Sequence, residues 1–106
     1  MIEMDRILTL SKAIAQEFQP ERIILFGSYA YGKPLQGSDI DLLVVLPFEG
    51  KPVRKALEIL GKLNTKIPVD LLVRTPDQVK ERIANNDWFM REVIEKGRVL
   101  YEADHA

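Results

Sequence analysis

The chain has 106 residues, of which 46% are hydrophobic, so it can form one small domain with an ordinary apolar core. It has no cysteine, which excludes disulfide bonds and thiolate metal sites and suits the reducing cytoplasm. Its 15 basic and 16 acidic residues give a formal net charge of −1, without the basic excess typical of proteins that bind long nucleic acids. We therefore expect a single cytoplasmic domain that spans residues 1–106.

Neither a leader peptide nor a membrane segment is expected. Residues 1–5 include acidic side chains and no apolar segment follows them, unlike a signal peptide. The longest apolar run covers residues 42–47, which is far shorter than the roughly 20 residues needed to cross a bilayer.

The first half of the chain predicts one helix and two strands. Residues 4–18 repeat apolar side chains near a period of 3.6, which predicts an amphipathic helix that ends before Pro20. Residues 22–26 and 40–46 are almost continuously apolar, which predicts two buried strands. Gly27 begins the segment between the strands, where glycines and prolines favour a turn or a short helix.

The second half starts with a helix, a strand and a further helix. Residues 52–63 open with Pro52 and predict an amphipathic helix. Residues 69–73 predict a third strand. The sequence Thr-Pro-Asp-Gln at residues 75–78 is a capping box with proline at the first helical position, and it predicts a short helix through about Ala84.

A last helix follows a cluster of polar residues. Asn-Asn-Asp at residues 85–87 favours its start, and Gly97 favours its end. Trp88 and Phe89 lie at helical spacing with Val93, which predicts that both aromatic side chains pack in the core.

The end of the chain completes a mixed pattern of elements. Residues 99–101 favour an edge strand, and residues 102–106, which include the only histidine, His105, favour a frayed tail without a catalytic role. The order is helix, strand, strand, helix, strand, helix, helix, strand. This order predicts an α+β fold (α/β layered), in which helices pack on a small mixed sheet.

Two aspartates open the second strand. Residues i and i+2 of a strand point to the same face, so Asp39 and Asp41 are expected side by side, roughly 7 Å apart at their Cα atoms. That separation allows two carboxylates to share magnesium ions, which prefer hard oxygen ligands and also bind phosphate oxygens. For an isolated Asp-x-Asp, a polar strand start in a surface turn is the more common explanation, because turns favour aspartate.

Asp70 is a single carboxylate inside the third apolar strand. A buried charge is costly unless it is paired or bound to a metal. If this strand neighbours residues 40–46, Asp70 can face the site of Asp39 and Asp41. It could then take a proton from an attacking hydroxyl or complete the metal shell. The alternative is a strand-end position that faces water.

Gly27 and Ser28 follow the first strand, and ten residues separate them from Asp39. Glycine lets the backbone approach a ligand closely, exposed N–H groups attract phosphate, and the Ser28 hydroxyl can donate to a phosphate oxygen. Gly-Ser alone is common in turns, but with this spacing to Asp39 and Asp41 it indicates a site for a nucleoside triphosphate and magnesium. The Gly-Lys-Ser/Thr sequence of a Walker A loop is absent.

The other candidate side chains carry less information. Lys33, Arg54 and Arg74 could contact phosphates or a partner, but solvated surface charge explains each of them as well. Tyr29 and Tyr31 could stack on a base or pack beneath the loop. With a single histidine near the end and no cysteine, Ser-His-Asp and Cys-His arrangements have no support.

These residues resemble the minimal nucleotidyltransferases (MNT type) of the DNA polymerase beta superfamily. The resemblance rests on Gly27 and Ser28, the ten-residue gap, Asp39 and Asp41, and the later Asp70, within the surrounding strand and helix pattern. It implies a polymerase-beta-like palm with two Mg²⁺ ions on Asp39 and Asp41, Asp70 as third carboxylate, and Gly27 and Ser28 on the triphosphate of ATP. The implied reaction is attack of an acceptor hydroxyl on the α-phosphate, with release of pyrophosphate.

Standalone members of this family often serve as antitoxins. The resemblance implies that the chain transfers AMP to a tyrosine of a partner HEPN ribonuclease toxin and silences it, and it allows a hetero-oligomer of the two proteins. The short chain, without room for a separate acceptor-binding domain, fits a protein acceptor. Tyr31 departs from the family pattern, in which many members carry arginine after Ser-x-Ala, but the metal ligands are unaffected.

Two other functions stay open on the sequence. A stoichiometric binding antitoxin could mask its partner without catalysis, although a pure binder gains nothing from three clustered carboxylates. Aminoglycoside nucleotidyltransferases and RNA-tailing enzymes share the palm and act on a small molecule or RNA. Both generally use additional domains to hold that acceptor.

Overall fold

The structure of the chain is a computed structural model that describes residues 1–104. Within these residues it has four helices and four strands, in the order α1 (Met4–Phe18), β1 (Arg22–Phe26), β2 (Ile40–Val45), α2 (Pro52–Leu63), β3 (Val69–Arg74), α3 (Pro76–Ala84), α4 (Trp88–Lys96) and β4 (Arg98–Glu102). None of these helices has both the length and the hydropathy needed to cross a membrane.

The four strands form one mixed sheet in the order β3-β2-β1-β4. β1 pairs antiparallel with β2 and with β4, whereas β2 and β3 run parallel and are connected through α2. This arrangement confirms the predicted small mixed sheet of an α+β fold. β3 and β4 each pair with one neighbour only, so they form the two edges of the sheet within residues 1–104.

Helices cover both faces of the sheet. Side chains alternate along β2, so every second residue from Ile40 to Val44 packs into a core with α1 and α2, whereas Leu43 and Val45 pack into a second core with α3 and α4. Burial on both faces explains why β1 and β2 read as near-continuous apolar runs. Asp41 has the same parity as Leu43, so it lies on the face that α3 and α4 cover.

Most of the predicted boundaries are confirmed within one residue. Helices α1 and α2 and strand β1 have the predicted bounds, whereas β2 ends at Val45 instead of Leu46 and β3 extends to Arg74. The edge strand predicted at residues 99–101 is β4, longer by one residue at each end. Local sequence patterns therefore fix where these elements begin and end.

The C-terminal tail differs from the prediction at its start. Glu102 is the last residue of β4, and the Ala103 N–H donates to the Glu21 carbonyl oxygen at 2.8 Å. The expected fraying from residue 102 was therefore wrong for these positions, because backbone hydrogen bonds to the start of β1 hold them. The expectation for His105 lies outside the described residues.

Trp88 and Phe89 lie at the surface, and the prediction that they pack in the core was wrong. Trp88 is 75% exposed and Phe89 is 43% exposed. The buried stripe of α4 runs through Met90 and Val93, which places Trp88 on the opposite side of the helix and Phe89 at the border of the stripe.

Helix α3 begins with the predicted capping box. The Thr75 hydroxyl accepts a hydrogen bond from the Gln78 N–H at 3.1 Å, and the Gln78 side chain accepts one from the Thr75 N–H at 2.9 Å. Pro76 occupies the first helical position, where a missing N–H costs nothing. The box satisfies backbone donors that the helix itself leaves unpaired.

Replacing Thr75 with alanine should lower the free energy of unfolding by about 1 kcal/mol, because the Gln78 N–H loses its acceptor. Urea unfolding followed by circular dichroism measures the loss. The control is Thr9→Ala, an exposed position inside α1 where alanine is the better helix former. A Thr75 variant that unfolds no earlier than the control would contradict this role of the box.

Candidate active site

The predicted site residues meet at one end of the sheet. β1 finishes at this end, whereas β2 and β3 begin there, because β1 is antiparallel to β2 and β2 is parallel to β3. Gly27 follows the last residue of β1, and Asp39 precedes the first residue of β2. Asp41 and Asp70 occupy the second positions of β2 and β3. Three separate segments therefore contribute residues to this one end of the sheet.

Asp41 and Asp70 lie side by side on neighbouring strands. They are register partners in the β2–β3 pair, so about one strand spacing, roughly 4.8 Å, separates their backbones. The condition set for Asp70, that its strand neighbours β2, is therefore met. Asp41 is partly buried and the other two aspartates are exposed. Asp39 lies one residue before β2 begins, whereas the expected side-by-side placement with Asp41 treated it as a strand residue.

Asp41 is in an electrostatically unfavourable position for a charged carboxylate. Burial raises the pKa of the Asp41 carboxyl above its usual value, and the negative charges of Asp70 and Asp39 raise it further. Both neighbouring carboxylates are therefore close enough to act on Asp41. A bound cation would remove this repulsion.

Asn in place of Asp41 should raise the melting temperature at neutral pH without divalent cations, by a few degrees at most because solvent screens much of the repulsion. The folded-state pKa of Asp41 lies above its unfolded value, so its contribution to stability is present at low pH and is lost as pH rises through the folded pKa. The advantage of the variant should therefore disappear on acidification, and also on addition of Mg²⁺.

Thermal melts of the variant and the unchanged chain at neutral and acidic pH measure this effect. Asp104→Asn is the control, since Asp104 is exposed and follows the last strand. If the Asp41→Asn variant melts at a lower temperature than the unchanged chain at neutral pH without metal, repulsion between Asp41 and its neighbouring carboxylates is contradicted.

Gly27 lacks a side chain where Asp41 needs the space. A Cβ atom at Gly27 would collide with the Asp41 carboxylate, whose Cγ would lie 3.1 Å away. The φ angle of Gly27 is +72°, in the left-handed region that glycine adopts without strain. The backbone of the loop therefore passes directly beside this carboxylate, so a phosphate held by the loop would be close to a metal on Asp41.

Tyr29 anchors the loop that follows Gly27. Its side chain is 8% exposed within the core, and its hydroxyl accepts a hydrogen bond from the Ile2 N–H at 3.2 Å. Tyr29 therefore packs beneath the loop. The Gly27 carbonyl accepts from the Ala30 N–H at 3.0 Å, which forms the predicted turn. Among residues 1–104 no protein acceptor takes the Ser28 N–H, which leaves this donor and the Ser28 hydroxyl for an anion.

An aromatic pair that the sequence did not predict borders the carboxylates. Phe26 is the register partner of Asp41 across β1 and β2, and such partners share one face of the sheet. The Phe89 ring meets the Phe26 ring edge-on, with centroids 5.7 Å apart and planes at 83°. The position of Phe26 directly before Gly27 was the only signal in the sequence, since Phe89 reaches the site through the packing of α4.

The remaining candidates are less closely tied to the carboxylates. Tyr31 and Lys33 are exposed in the loop, and Arg54 is exposed on α2. Arg74 is partly buried at the opposite end of β3 from Asp70. This partial burial lowers the pKa of the Arg74 guanidinium.

The donor atoms fit magnesium that binds together with a substrate. Across residues 1–104, no group of three or more histidine, cysteine, aspartate or glutamate side chains is placed to hold a metal ion on its own. Magnesium in phosphate-transfer sites usually takes one or two carboxylates and completes its octahedral shell with phosphate oxygens and water. Asp39 and Asp41 would supply such carboxylates, and a bound cation would relieve the repulsion at Asp41.

The fold and the site together define a class of protein. Aspartates at the start of one strand, a third on its parallel neighbour and a Gly-Ser turn beside them are the arrangement that the family resemblance implied. The sequence profile of the Nucleotidyltransferase domain family matches residues 7–101. The chain belongs to this family and is a nucleotidyltransferase.

Two curated relatives from Methanocaldococcus jannaschii are named as protein adenylyltransferases. MJ0604 is 37% identical over 84 residues, which cover 76% of this chain and 78% of the relative. MJ1547 is 38% identical over 64 residues, which cover 60% of this chain and 49% of the relative. The chain therefore matches most of the first relative and about half of the second.

Solved structures share the fold. A nucleotidyltransferase structure from Sulfolobus solfataricus superposes with a TM-score of 0.60 at 24% identity and covers 95% of this chain and 85% of its own. A mutant of the toxin–antitoxin MntA–HpeT gives a TM-score of 0.57 at 19% identity, over 97% of this chain and 76% of its own. A toxin–antitoxin with AMP-PNP gives 0.51 at 19% identity, over 92% and 74%. These neighbours confirm the nucleotidyltransferase fold.

Proposed function

We propose that this chain is a magnesium-dependent protein adenylyltransferase, which transfers AMP from ATP to a tyrosine of a partner HEPN ribonuclease toxin and acts as its antitoxin. The observation that carries the proposal is the pairing of Asp41 with Asp70 beside the Gly27 turn, with Asp39 close by. The names of the two curated relatives support a protein as the acceptor. The toxin partner follows from the resemblance to MNT antitoxins. We also propose that one domain over residues 1–106 does this work in the cytoplasm.

Each site residue has a role in this proposal. Asp39 and Asp41 would hold two magnesium ions, with Asp70 as the third carboxylate of the site. When bound, the ions would neutralise the negative charge of the triphosphate and of the leaving pyrophosphate. Gly27 and Ser28 bind the triphosphate through backbone N–H groups and a hydroxyl.

The reaction replaces a phosphoanhydride bond of ATP with a phosphoester bond to the acceptor. The acceptor hydroxyl oxygen attacks the α-phosphorus of ATP, and the bond from this phosphorus to the oxygen that bridges to the β-phosphate breaks. AMP becomes esterified to the acceptor, and pyrophosphate leaves with the electron pair. Asp70 receives the hydroxyl proton, since it is exposed beside Asp41 and a protein acceptor can reach it.

Burial separates the roles of the carboxylates. Asp41 is partly enclosed between the Gly27 backbone and β3, so its oxygens are fixed as metal ligands. Asp70 has more freedom at the open side of the same edge, as a proton acceptor requires. Positioning and charge neutralisation would then supply most of the rate enhancement.

ATP labelled at the α-phosphate tests the proposal. The chain is incubated with Mg²⁺ and a lysate of its source cell, beside the Asp39→Ala/Asp41→Ala variant. Label on one protein band with the unchanged chain alone is the expected result. Label on RNA or on a small molecule would move the acceptor to those classes, and no label together with no binding of ATP and magnesium would contradict the proposal.

The amount of protein needed to silence the partner separates an enzyme from a stoichiometric binder. An enzyme turns over, so we expect far less than one equivalent of this chain to inactivate the toxin when ATP and Mg²⁺ are present. Silencing that needs a full equivalent, and that proceeds equally without ATP, would favour the binding antitoxin.

A further inference from the structure

We infer that the acceptor protein presents its hydroxyl residue on an extended segment, which adds as a strand to the free edge of β3 and lies in the groove between β3 and α2. The segment carries its hydroxyl side chain at Asp70 and an acidic side chain at Arg74. The inference rests on the proposed function, because it describes how the acceptor of that reaction binds.

The edge of β3 offers a row of backbone groups. On the β2 side, the Pro68 carbonyl accepts from the Ile40 N–H at 3.0 Å and the Arg74 carbonyl accepts from the Leu46 N–H at 3.1 Å. Even-numbered residues of β3 therefore bond to β2, and the odd-numbered ones direct their N–H and C=O groups outward. These outward residues are Val69, Leu71 and Val73, of which the Val73 carbonyl already accepts a hydrogen bond from the Arg74 guanidinium. An extended polypeptide complements such a row, whereas a nucleic acid or a small molecule does not.

Apolar side chains of α2 form the second wall of the groove. Val53, Leu57 and Leu60 line a cavity of about 390 Å³ together with the residues of β3. Val53 is 70% exposed and Leu57 is 63% exposed, although both side chains are apolar. Every second side chain of an added strand would cover them, which removes apolar surface from water.

The two ends of the groove carry opposite charges. Asp70 lies at one end and Arg74 at the other, four residues or about 13 Å apart along β3. Arg74 donates to the Val73 carbonyl at 2.7 Å, and among residues 1–104 no carboxylate forms an ion pair with it. The neighbouring Asp87 is held by Arg82 at 3.0 Å. A partly buried guanidinium without an anionic partner is complemented by an acidic side chain.

Position favours β3 over the other sheet edge. β4 is separated from β3 by two strands, so a segment bound along β4 has no path to Asp70. The groove beside β3 is instead continuous with the site, because Asp70 lines both. A bound strand would therefore deliver its own residues to the catalytic carboxylates in a fixed register.

Two short synthetic peptides test the inference. The first has a tyrosine and a glutamate four residues apart in a background of alternating valine and threonine. In the second, every amide between these two residues is N-methylated and cannot donate hydrogen bonds. With α-labelled ATP and Mg²⁺, we expect the first peptide to be labelled at least about tenfold faster. NMR should show slowed amide exchange at Val69, Leu71 and Val73 with the first peptide only.

Exchange of charge tests the acidic position. Arg74→Glu should lower labelling of the glutamate peptide by about tenfold, and a peptide with lysine in place of glutamate should restore it. Leu57→Glu should lower labelling of the glutamate peptide and of the lysine peptide. The matched control is Val99→Glu, a similarly exposed apolar residue on β4, which should change neither. ATP and magnesium binding should be the same in all three variants.

The outcomes separate this inference from the proposed function. Equal labelling of the unmodified and the N-methylated peptide, without slowed exchange along β3, would overturn strand addition and leave AMP transfer standing. Slowed exchange along β3 without any labelling would support strand addition and count against AMP transfer to tyrosine. If exchange along β3 is not slowed at millimolar peptide and the charge exchange does not restore labelling, the inference is overturned.

Discussion

Alanine at both Asp39 and Asp41 should reduce AMP transfer by at least about a thousandfold, because magnesium loses both proposed protein ligands. Steady-state labelling with α-labelled ATP measures the loss. The fold should persist, since Asp39 is exposed and Asp41 experiences repulsion from its neighbours. We therefore expect the melting temperature to stay the same or to rise, and the stabilisation by ATP and Mg²⁺ to disappear.

A matched control for this variant removes two carboxylates elsewhere. Glu49 and Asp104 are exposed, and Glu49 lies in the loop after the opposite end of β2, so Glu49→Ala/Asp104→Ala changes the net charge equally. This control should transfer AMP at the unchanged rate. Transfer retained in the Asp39 and Asp41 variant, at a rate near that of the control, would show that these residues do not hold the metal.

Gly27→Ala should affect activity and stability together. The added Cβ atom would collide with the Asp41 carboxylate and force it or the loop to move. Displacing a reacting group by about 1 Å can cost about a hundredfold in rate, so we expect a loss of at least that size. The φ angle of +72° adds backbone strain, which should lower the free energy of unfolding by about 1–2 kcal/mol. Urea unfolding and the labelling assay measure the two effects.

Gly50→Ala separates strain from collision. Gly50 has a φ angle of +90°, and a Cβ atom there would meet nothing within 4 Å. Its variant should therefore lose a similar amount of stability and keep its transfer activity. Equal activity in the Gly27 and Gly50 variants would show that the close approach of Gly27 to Asp41 has no part in catalysis.

Local patterns in the sequence predict most of the elements of this fold. The apolar run around Ile40 predicts a strand because side chains on both faces are buried, and the run around Leu71 predicts one although most of its side chains are only partly buried. Thr75 with Gln78 predicts the start of α3 because the cap is local. The order and register of the strands are not local. The placement of Asp41 opposite Asp70 depends on which strands pair, so the sequence predicts the residues of the site and leaves their contacts to the fold.

An apolar stripe explains the exposed positions of Phe89 and Leu57. A helical period of 3.6 shows that Phe89 or Leu57 belongs to an apolar face, but it does not tell whether a core or a partner covers that face. Phe89 lies half exposed against Phe26 beside Asp41, and Leu57 lies exposed in the groove along β3. Both exposed side chains therefore lie next to the candidate site or the adjoining groove, where a protein leaves apolar surface uncovered for binding.

The position of the transferred group is the most direct test of AMP transfer to a protein. ATP labelled at the α-phosphate and ATP labelled at the γ-phosphate are supplied in parallel with Mg²⁺ and the purified acceptor, and the acceptor tyrosine is analysed by mass spectrometry. We expect the α-label on the tyrosine as AMP and the γ-label in pyrophosphate. The γ-label on the protein, or neither label on it while the acceptor is nevertheless silenced, would contradict nucleotidyl transfer by the site of Asp39, Asp41 and Asp70.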